Sequence, residues 1–386
     1  MNYRWIILGI ITFCIFSYGI IFQSIPPILP ILIKTLRISY AEAGALMSVF
    51  TLPKFLISLP GGILSDHYGP RKIGIASLIT MSLGTGIVFL GENYGMLIIG
   101  RFIAGIGAAG VVVVGGKGVT SWFYNREIGF SMGIFNLSMP LATVLSLNFM
   151  GTIAYHTNWR ISIFISLLLG FIALFLFLLF FKNINQVEEK RISFEILSGI
   201  KKAGKGIWYV GITWGLFNAG LISFITFGPD YFTSIGIDVS KAGLISSYPM
   251  WGGIVLSPFV GILIDKIGRK WIFVAVGCGG MALFIILISL FPNKASIFAI
   301  SIGIFVAILT PAIFSLPAEL LPESLIGFGF GIHGTFLGIG ISLGPYIIGI
   351  LRDITGNYLL SFIAMAAFSA LGILPMLLLK KTYFRH

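Results

Sequence analysis

Twelve long apolar runs, separated by short polar links, fill this chain from end to end. They cover about residues 5–29, 42–64, 73–91, 96–120, 128–154, 160–181, 207–228, 242–264, 271–291, 296–316, 327–351 and 359–379. Crossing the roughly 30 Å of bilayer hydrocarbon takes about 20 helical residues, and each run is of that order. A segment in lipid must satisfy its own backbone N–H and C=O groups, so runs of this length predict helices. The expected fold class is therefore all-α: an integral membrane protein with twelve transmembrane helices. One link is longer than the rest. Residues 182–206 carry Lys182, Glu188, Glu189, Lys190, Arg191, Glu195, Lys201, Lys202 and Lys205. This stretch reads as a polar linker, compatible with a short amphipathic helix on the membrane surface. It divides the chain into a six-helix bundle over 1–181 and a second over 207–386.

Composition sharpens this reading. Hydrophobic residues make up 57% of the chain and charged residues only 10%, more apolar surface than a soluble core of 386 residues needs. The first apolar run exceeds a signal-peptide core and no small-residue cleavage site follows it, so it is read as a retained helix. Cys14 and Cys278 both fall within apolar runs and imply no disulfide framework. The net charge of +12 would suit a nucleic-acid partner, but the basic residues gather at helix ends instead of forming a soluble stripe. Placing the N-terminus in the cytoplasm puts sixteen of the 25 Lys and Arg residues on the inside and six outside. The positive-inside rule thus predicts a multi-pass protein of the cell membrane with both termini cytoplasmic.

One short loop occurs twice, 199 residues apart. Gly62-Ile63-Leu64-Ser65-Asp66-His67-Tyr68-Gly69-Pro70-Arg71-Lys72 is echoed by Gly261-Ile262-Leu263-Ile264-Asp265-Lys266-Ile267-Gly268-Arg269-Lys270. The register extends upstream, where Ala43-Gly44 matches Ala242-Gly243, Ser48 matches Ser247 and Ser58 matches Ser257. A repeat at half the chain length predicts two similar, pseudo-symmetric bundles.

The pattern Gly-x-Leu-x-Asp-x-x-Gly-x-Arg-Lys resembles the loop signature of the major facilitator superfamily of secondary transporters. Arg101-Phe102-Ile103-Ala104-Gly105-Ile106-Gly107 in the fourth run resembles a second motif of that family. Trp122-Phe123-Tyr124-Asn125-Arg126-Glu127-Ile128-Gly129 is similar to the following loop of its anion and organic-acid members. Trp159-Arg160 and Gly344-Pro345 also fit the superfamily. The fifth run, with Gly133, Asn136 and Pro140, lacks the Gly-Pro-x-x-Gly-Gly element of the family's drug exporters.

The resemblance implies two bundles rocking about a central site in alternating access. It assigns Asp66, Gly69, Arg71, Asp265, Gly268, Lys270 and Glu127 to cytoplasmic gating. Asp66 is expected to face the start of the eleventh helix near Gly327, and Asp265 the start of the fifth near Gly129. A carboxylate there would sit against unpaired N–H groups and the positive end of a helix dipole. Arg71 and Lys72 are expected to pair with Glu127, Glu319 or Glu323. The plainer alternative for the basic residues is the positive-inside rule alone.

Charges inside the spans carry the substrate argument. An intramembrane charge is costly and usually faces a cavity. Three basic residues qualify, Lys54, Arg101 and Lys117, whereas no Asp or Glu falls deep within a predicted span. Lys54 lies near mid-span, too deep to snorkel, and is the leading candidate for binding an anion. Arg101 lacks the acidic first-helix partner of proton-coupled relatives. It is expected to bond first-helix side chains such as Ser17, Tyr18, Gln23 and Ser24, or a substrate carboxylate. Lys117 is near a helix end. Tyr18, Asn136, Asn218, Tyr248 and Trp251, with Trp214 and Thr310, are candidates to line the cavity, although helix packing uses the same residue types. His333 is the one side chain in the spans with a near-neutral intrinsic pKa and is the coupling candidate. The four histidines, His67, His156, His333 and His386, are dispersed and form no metal or nucleophile constellation, so neither an enzyme nor a cofactor is expected. The reading is a monomeric secondary transporter of a small anion, with proton or counter-anion coupling open. A multidrug or neutral-solute transporter or exporter is the alternative.

Overall fold

A computed structural model of the protein describes residues 3–123, 127–182, 204–322 and 325–383, without the side chains at 55, 56, 58–63 and 66. The linker charges between 183 and 203, Arg126, Glu323 and the side chains of Ser58 and Asp66 therefore lie outside the described residues.

Among the described residues, twelve main helices follow in order. They are α1 (Tyr3–Gln23), α2 (Tyr40–Tyr68), α3 (Pro70–Leu90), α4 (Tyr94–Phe123), α5 (Ile128–Leu145) and α6 (Trp159–Phe180), then α7 (Gly206–Ser234), α8 (Val239–Ile267), α9 (Lys270–Leu290), α10 (Ala295–Leu320), α11 (Ile326–Thr355) and α12 (Leu359–Leu371). Among the described residues, eleven helical stretches are long and apolar enough to cross a membrane. The helices form two compact units. One comprises Met1–Val187 with Pro229–Leu244, the other Glu188–Gly228 with Ile245–His386. In the first, the start of α8 packs on the turn Ser146–Met150 that follows α5, so closely that a Cβ at Gly243 would strike the Leu147 carbonyl.

Local chemistry sets where helices begin and end. At the start of α2 the Glu42 N–H donates to Ser39 Oγ (3.1 Å) and the Ser39 N–H donates to Glu42 Oε2 (2.8 Å). This reciprocal cap satisfies two N–H groups that a helix start leaves open. The α2–α3 turn falls on Gly69 at φ 85°, and the α8–α9 turn on Gly268 at φ 73°. Both copies of the repeated loop thus bend on a glycine in backbone space that side chains disfavour. The first predicted span does not run unbroken to residue 29. α1 stops at Gln23, and Pro26–Ile28 and Leu29–Leu36 continue as separate short helices. The cause is Pro26-Pro27, two residues with no N–H to donate. The fifth span also departs from a regular helix, with a π-helical turn over Ser146–Met150 before the helix resumes at Gly151–His156.

Small residues let the helices meet. Gly84 of α3 lies against Gly100 and Ala104 of α4, Gly252 of α8 against Gly303 of α10, and Gly340 and Gly344 of α11 against Gly215 and Ala219 of α7. Lipid supplies no hydrophobic force between helices, so such close backbone approach carries the packing. Among the described residues, nothing lies within 4 Å of a Cβ position at Gly327, Gly331 or Gly334 of α11.

Candidate functional site

The site in the first unit is built from the break in α1. In an α-helix the N–H of residue 26 would serve the carbonyl of Phe22, and that of residue 27 the carbonyl of Gln23. Proline at both positions leaves both carbonyls without a helical donor. Arg101 Nη2 donates to the Phe22 carbonyl (3.1 Å), and Ser146 Oγ donates to the Gln23 carbonyl (2.6 Å). Arg101 also donates from Nη1 to the Ile21 carbonyl (2.8 Å) and from Nε to the Leu46 carbonyl of α2 (3.0 Å). Its guanidinium lies 4.2 Å from the centre of the Phe50 ring. One planar fork therefore ties α4 to α1 and α2, a task suited to the fixed donor geometry of arginine. At 2% exposure, Arg101 meets main-chain oxygens where first-helix side chains or a substrate were expected.

From Phe50 the site continues outward through aromatic rings. Tyr18 stacks on Phe50, with centroids 6.2 Å apart and planes 16° apart. Lys54 Nζ sits 5.8 Å from the Tyr18 ring centre. Lys54, Tyr18, Phe50 and Thr51 line a crevice floored by Gly105, Ala108 and Ala109 of α4, with no room for a water molecule between its walls. Gly105 is required here, since a Cβ would strike the Phe50 carbonyl. Lys54 is the fifteenth of the 29 residues of α2, so about 21 Å of helix separates it from either end. That distance is beyond the reach of a lysine side chain, and the ammonium stays within the bundle half-buried.

The other candidates are scattered. Asn136 is exposed, Tyr248 is half-buried and Trp251 is 42% exposed. Buried Asn218 turns back on its own helix, with Nδ2 donating to the Trp214 carbonyl at 2.9 Å, and Thr310 does the same to the Val306 carbonyl at 2.7 Å. His333 is buried in the second unit against Trp214, Phe314 and Phe330.

At the gating positions the partners differ from those expected. Arg71 donates to the Leu178 carbonyl of α6 (2.9 Å), and Lys72 is exposed. Lys270 pairs with Glu319 of α10 at 3.0 Å. In the register of the repeat, Thr120 stands 199 residues before Glu319. Glu127 pairs with Arg4 at 2.9 Å, and Arg4 also lies over the rings of Trp5 and Phe123. Asp265 is exposed. Asp230 was missed. The seventh predicted span ended at 228, but α7 runs through Pro229 to Ser234 and buries this carboxylate to 7% exposure.

Residues 11–235 and 206–386 match the family model described as Major Facilitator Superfamily. The chain belongs to this superfamily. The probable sulfoacetate transporter SauU of Cupriavidus necator is 24% identical over 404 residues, covering 97% of this chain and 93% of that protein. The hexuronate transporter of Bacillus subtilis is 24% identical over 370 residues, covering 89% and 88%. Among solved structures, a bacterial homologue of the human lysosomal transporter Spinster, captured inward-facing and unoccupied, superposes with a TM-score of 0.84 at 16% identity, covering 100% of this chain and 98% of that one. The superfamily assignment and the helices make this a multi-pass membrane protein, as the sequence predicted. The two named relatives are transporters.

Proposed function

We propose that this protein is a secondary transporter of a small organic anion, working by alternating access in the cell membrane with both termini cytoplasmic. The observation that carries the reading is Lys54. An ammonium held at mid-helix, beside the Tyr18 ring and in the lining of a crevice, costs about 3 kcal/mol to insert and is kept only where it has work. Binding an anion is the simplest such work. Arg101 does not share it: its donors serve three main-chain carbonyls and the Met47 sulfur, so it positions Phe50 and α1 beneath the site.

The names of the relatives support the same chemistry, since sulfoacetate and hexuronate are both carboxylates. The chain is accordingly a carrier, not an enzyme, and the default is a monomer. Gating by Asp66, Asp265 and the two glycine turns belongs to the same proposal. The multidrug and neutral-solute alternatives find no support from these relatives. The test is counterflow into proteoliposomes of radiolabelled sulfonates, uronates, monocarboxylates and dicarboxylates, against neutral sugars and lipophilic cations. Exchange of one anion class, and of no sugar or cation, is the expected result. Exchange of sugars or cations alone would refute the anion reading and leave the superfamily assignment intact.

A further inference from the structure

His333 has no use in the anion site described above, yet its surroundings are specific. It is the eighth residue of α11 and only 2% exposed. Neither Nδ1 nor Nε2 has a hydrogen-bond partner among the described residues. Its neighbours are rings from three helices. The centroids of Phe314 of α10, Phe330 of α11 and Trp214 of α7 lie 5.5, 6.1 and 6.2 Å from its own. These rings also touch one another, Trp214 to Phe314 at 5.1 Å and Phe314 to Phe330 at 6.3 Å.

A histidine kept for packing settles an N–H on a carbonyl, as Asn218 of α7 settles its amide N–H and Thr310 of α10 its O–H. His333 does not, and so bears the desolvation of both nitrogens without return. The closed, apolar box therefore holds the neutral ring, and a ring nitrogen can take a proton only when water reaches it. No salt bridge reaches His333 among the described residues. The titratable groups on the helices that form the box are Tyr209, Asp230 and Tyr231 on α7, Glu319 on α10, and Tyr346, Arg352 and Asp353 on α11. Among the described residues the rings in contact with the imidazole are Trp214, Phe314 and Phe330, none of them titratable, and Glu319 is held by Lys270.

We propose that His333 is the proton-binding group of the transport cycle. A ring-nitrogen lone pair takes one proton from water when the box is open to one side of the membrane. The same N–H bond breaks, returning the proton to water, when the box is open to the other. One proton then moves with each anion. The anion half of this statement rests on the proposed function above; the protonation of His333 does not.

Purified full-length protein in proteoliposomes with a trapped pH dye tests the first half. With an anion that gives counterflow, an inward proton gradient of one pH unit is expected to drive about tenfold accumulation, with matching acidification of the lumen. His333→Gln is expected to abolish both, while anion exchange, which needs no net proton movement, remains measurable. Gradient-driven accumulation by His333→Gln at the wild-type level would overturn the proposal, as would net wild-type uptake without acidification. Histidine-labelled NMR tests the second half without any solute. The signal missing from His333→Gln should change protonation state reversibly with pH while the protein stays folded. A His333 that holds one protonation state at every pH at which the protein is folded overturns the proposal, whichever solute is carried. If His333 titrates but no anion exchanges, the proton site stands and the anion reading falls.

Discussion

Arg101→Met separates a structural arginine from a substrate-binding one. The substitution keeps most of the side-chain volume and removes every donor. Three carbonyls lose a partner, but they do not suffer equally. The Ile21 carbonyl keeps Ser24 Oγ at 2.9 Å, and the Leu46 carbonyl lies within α2 and retains its helical donor. The Phe22 carbonyl loses everything, because Pro26 cannot donate to it. A buried acceptor left unsatisfied costs about 1–3 kcal/mol, and each lost bond to a charged donor adds to that. Part is offset, since the variant no longer has to bury a guanidinium. The net is about 2–4 kcal/mol. For a cooperative unit of this size each kcal/mol lowers Tm by about 2–4 °C, giving a fall of roughly 4–16 °C. Thermal unfolding of the detergent-purified protein, followed by tryptophan fluorescence, reads this directly. Adding Pro26→Ala should recover part of the loss, because alanine restores an N–H to the Phe22 carbonyl. Arg101→Lys should fall in between, since one ammonium cannot span oxygens on two helices. If Arg101→Met unfolds at the wild-type temperature but no longer transports, the arginine contacts the solute and the main-chain account is wrong.

Two further expectations concern the repeated loop. Gly69 holds φ 85° and ψ 147°, a region open essentially to glycine, so Gly69→Ala should destabilise by about 1–3 kcal/mol in a denaturation assay. A neutral result there would mean the turn is not held in this geometry. Lys270 and Glu319 are partly exposed at 20% and 31%, so a double-mutant cycle should return a coupling of only about 0.2–1 kcal/mol to stability. A coupling several times larger would mark the pair as buried within the working cycle.

Much of this fold could be read from hydrophobic runs, because a lipid-spanning helix needs little beyond length and apolar side chains. The depth of Lys54 was equally plain, fixed by counting residues from the ends of its run. The partners of Arg101 were legible in principle: Pro26 and Pro27 point four residues back to Phe22 and Gln23. Attention to side-chain partners hid that main-chain signal. Asp230 was hidden by the Gly228-Pro229 pair, which resembles a helix end but is carried inside α7. The ring box at His333 draws residues from 214, 314 and 330, and no local pattern joins positions so far apart. The Lys270–Glu319 pair depends on an acidic residue, Glu319, that the repeat signature does not include and that the register matches with Thr120.

The central claim is that the positive charge of Lys54 binds the transported anion, and restoring that charge chemically tests it most directly. In a background with Cys14 and Cys278 replaced by alanine, Lys54→Cys is reacted with 2-bromoethylamine, which rebuilds an ammonium, or with a neutral reagent of equal length. The account predicts that anion counterflow, lost in Lys54→Cys, returns with the ammonium and not with the neutral group. Equal transport after either treatment, or undiminished transport by Lys54→Cys itself, would contradict it.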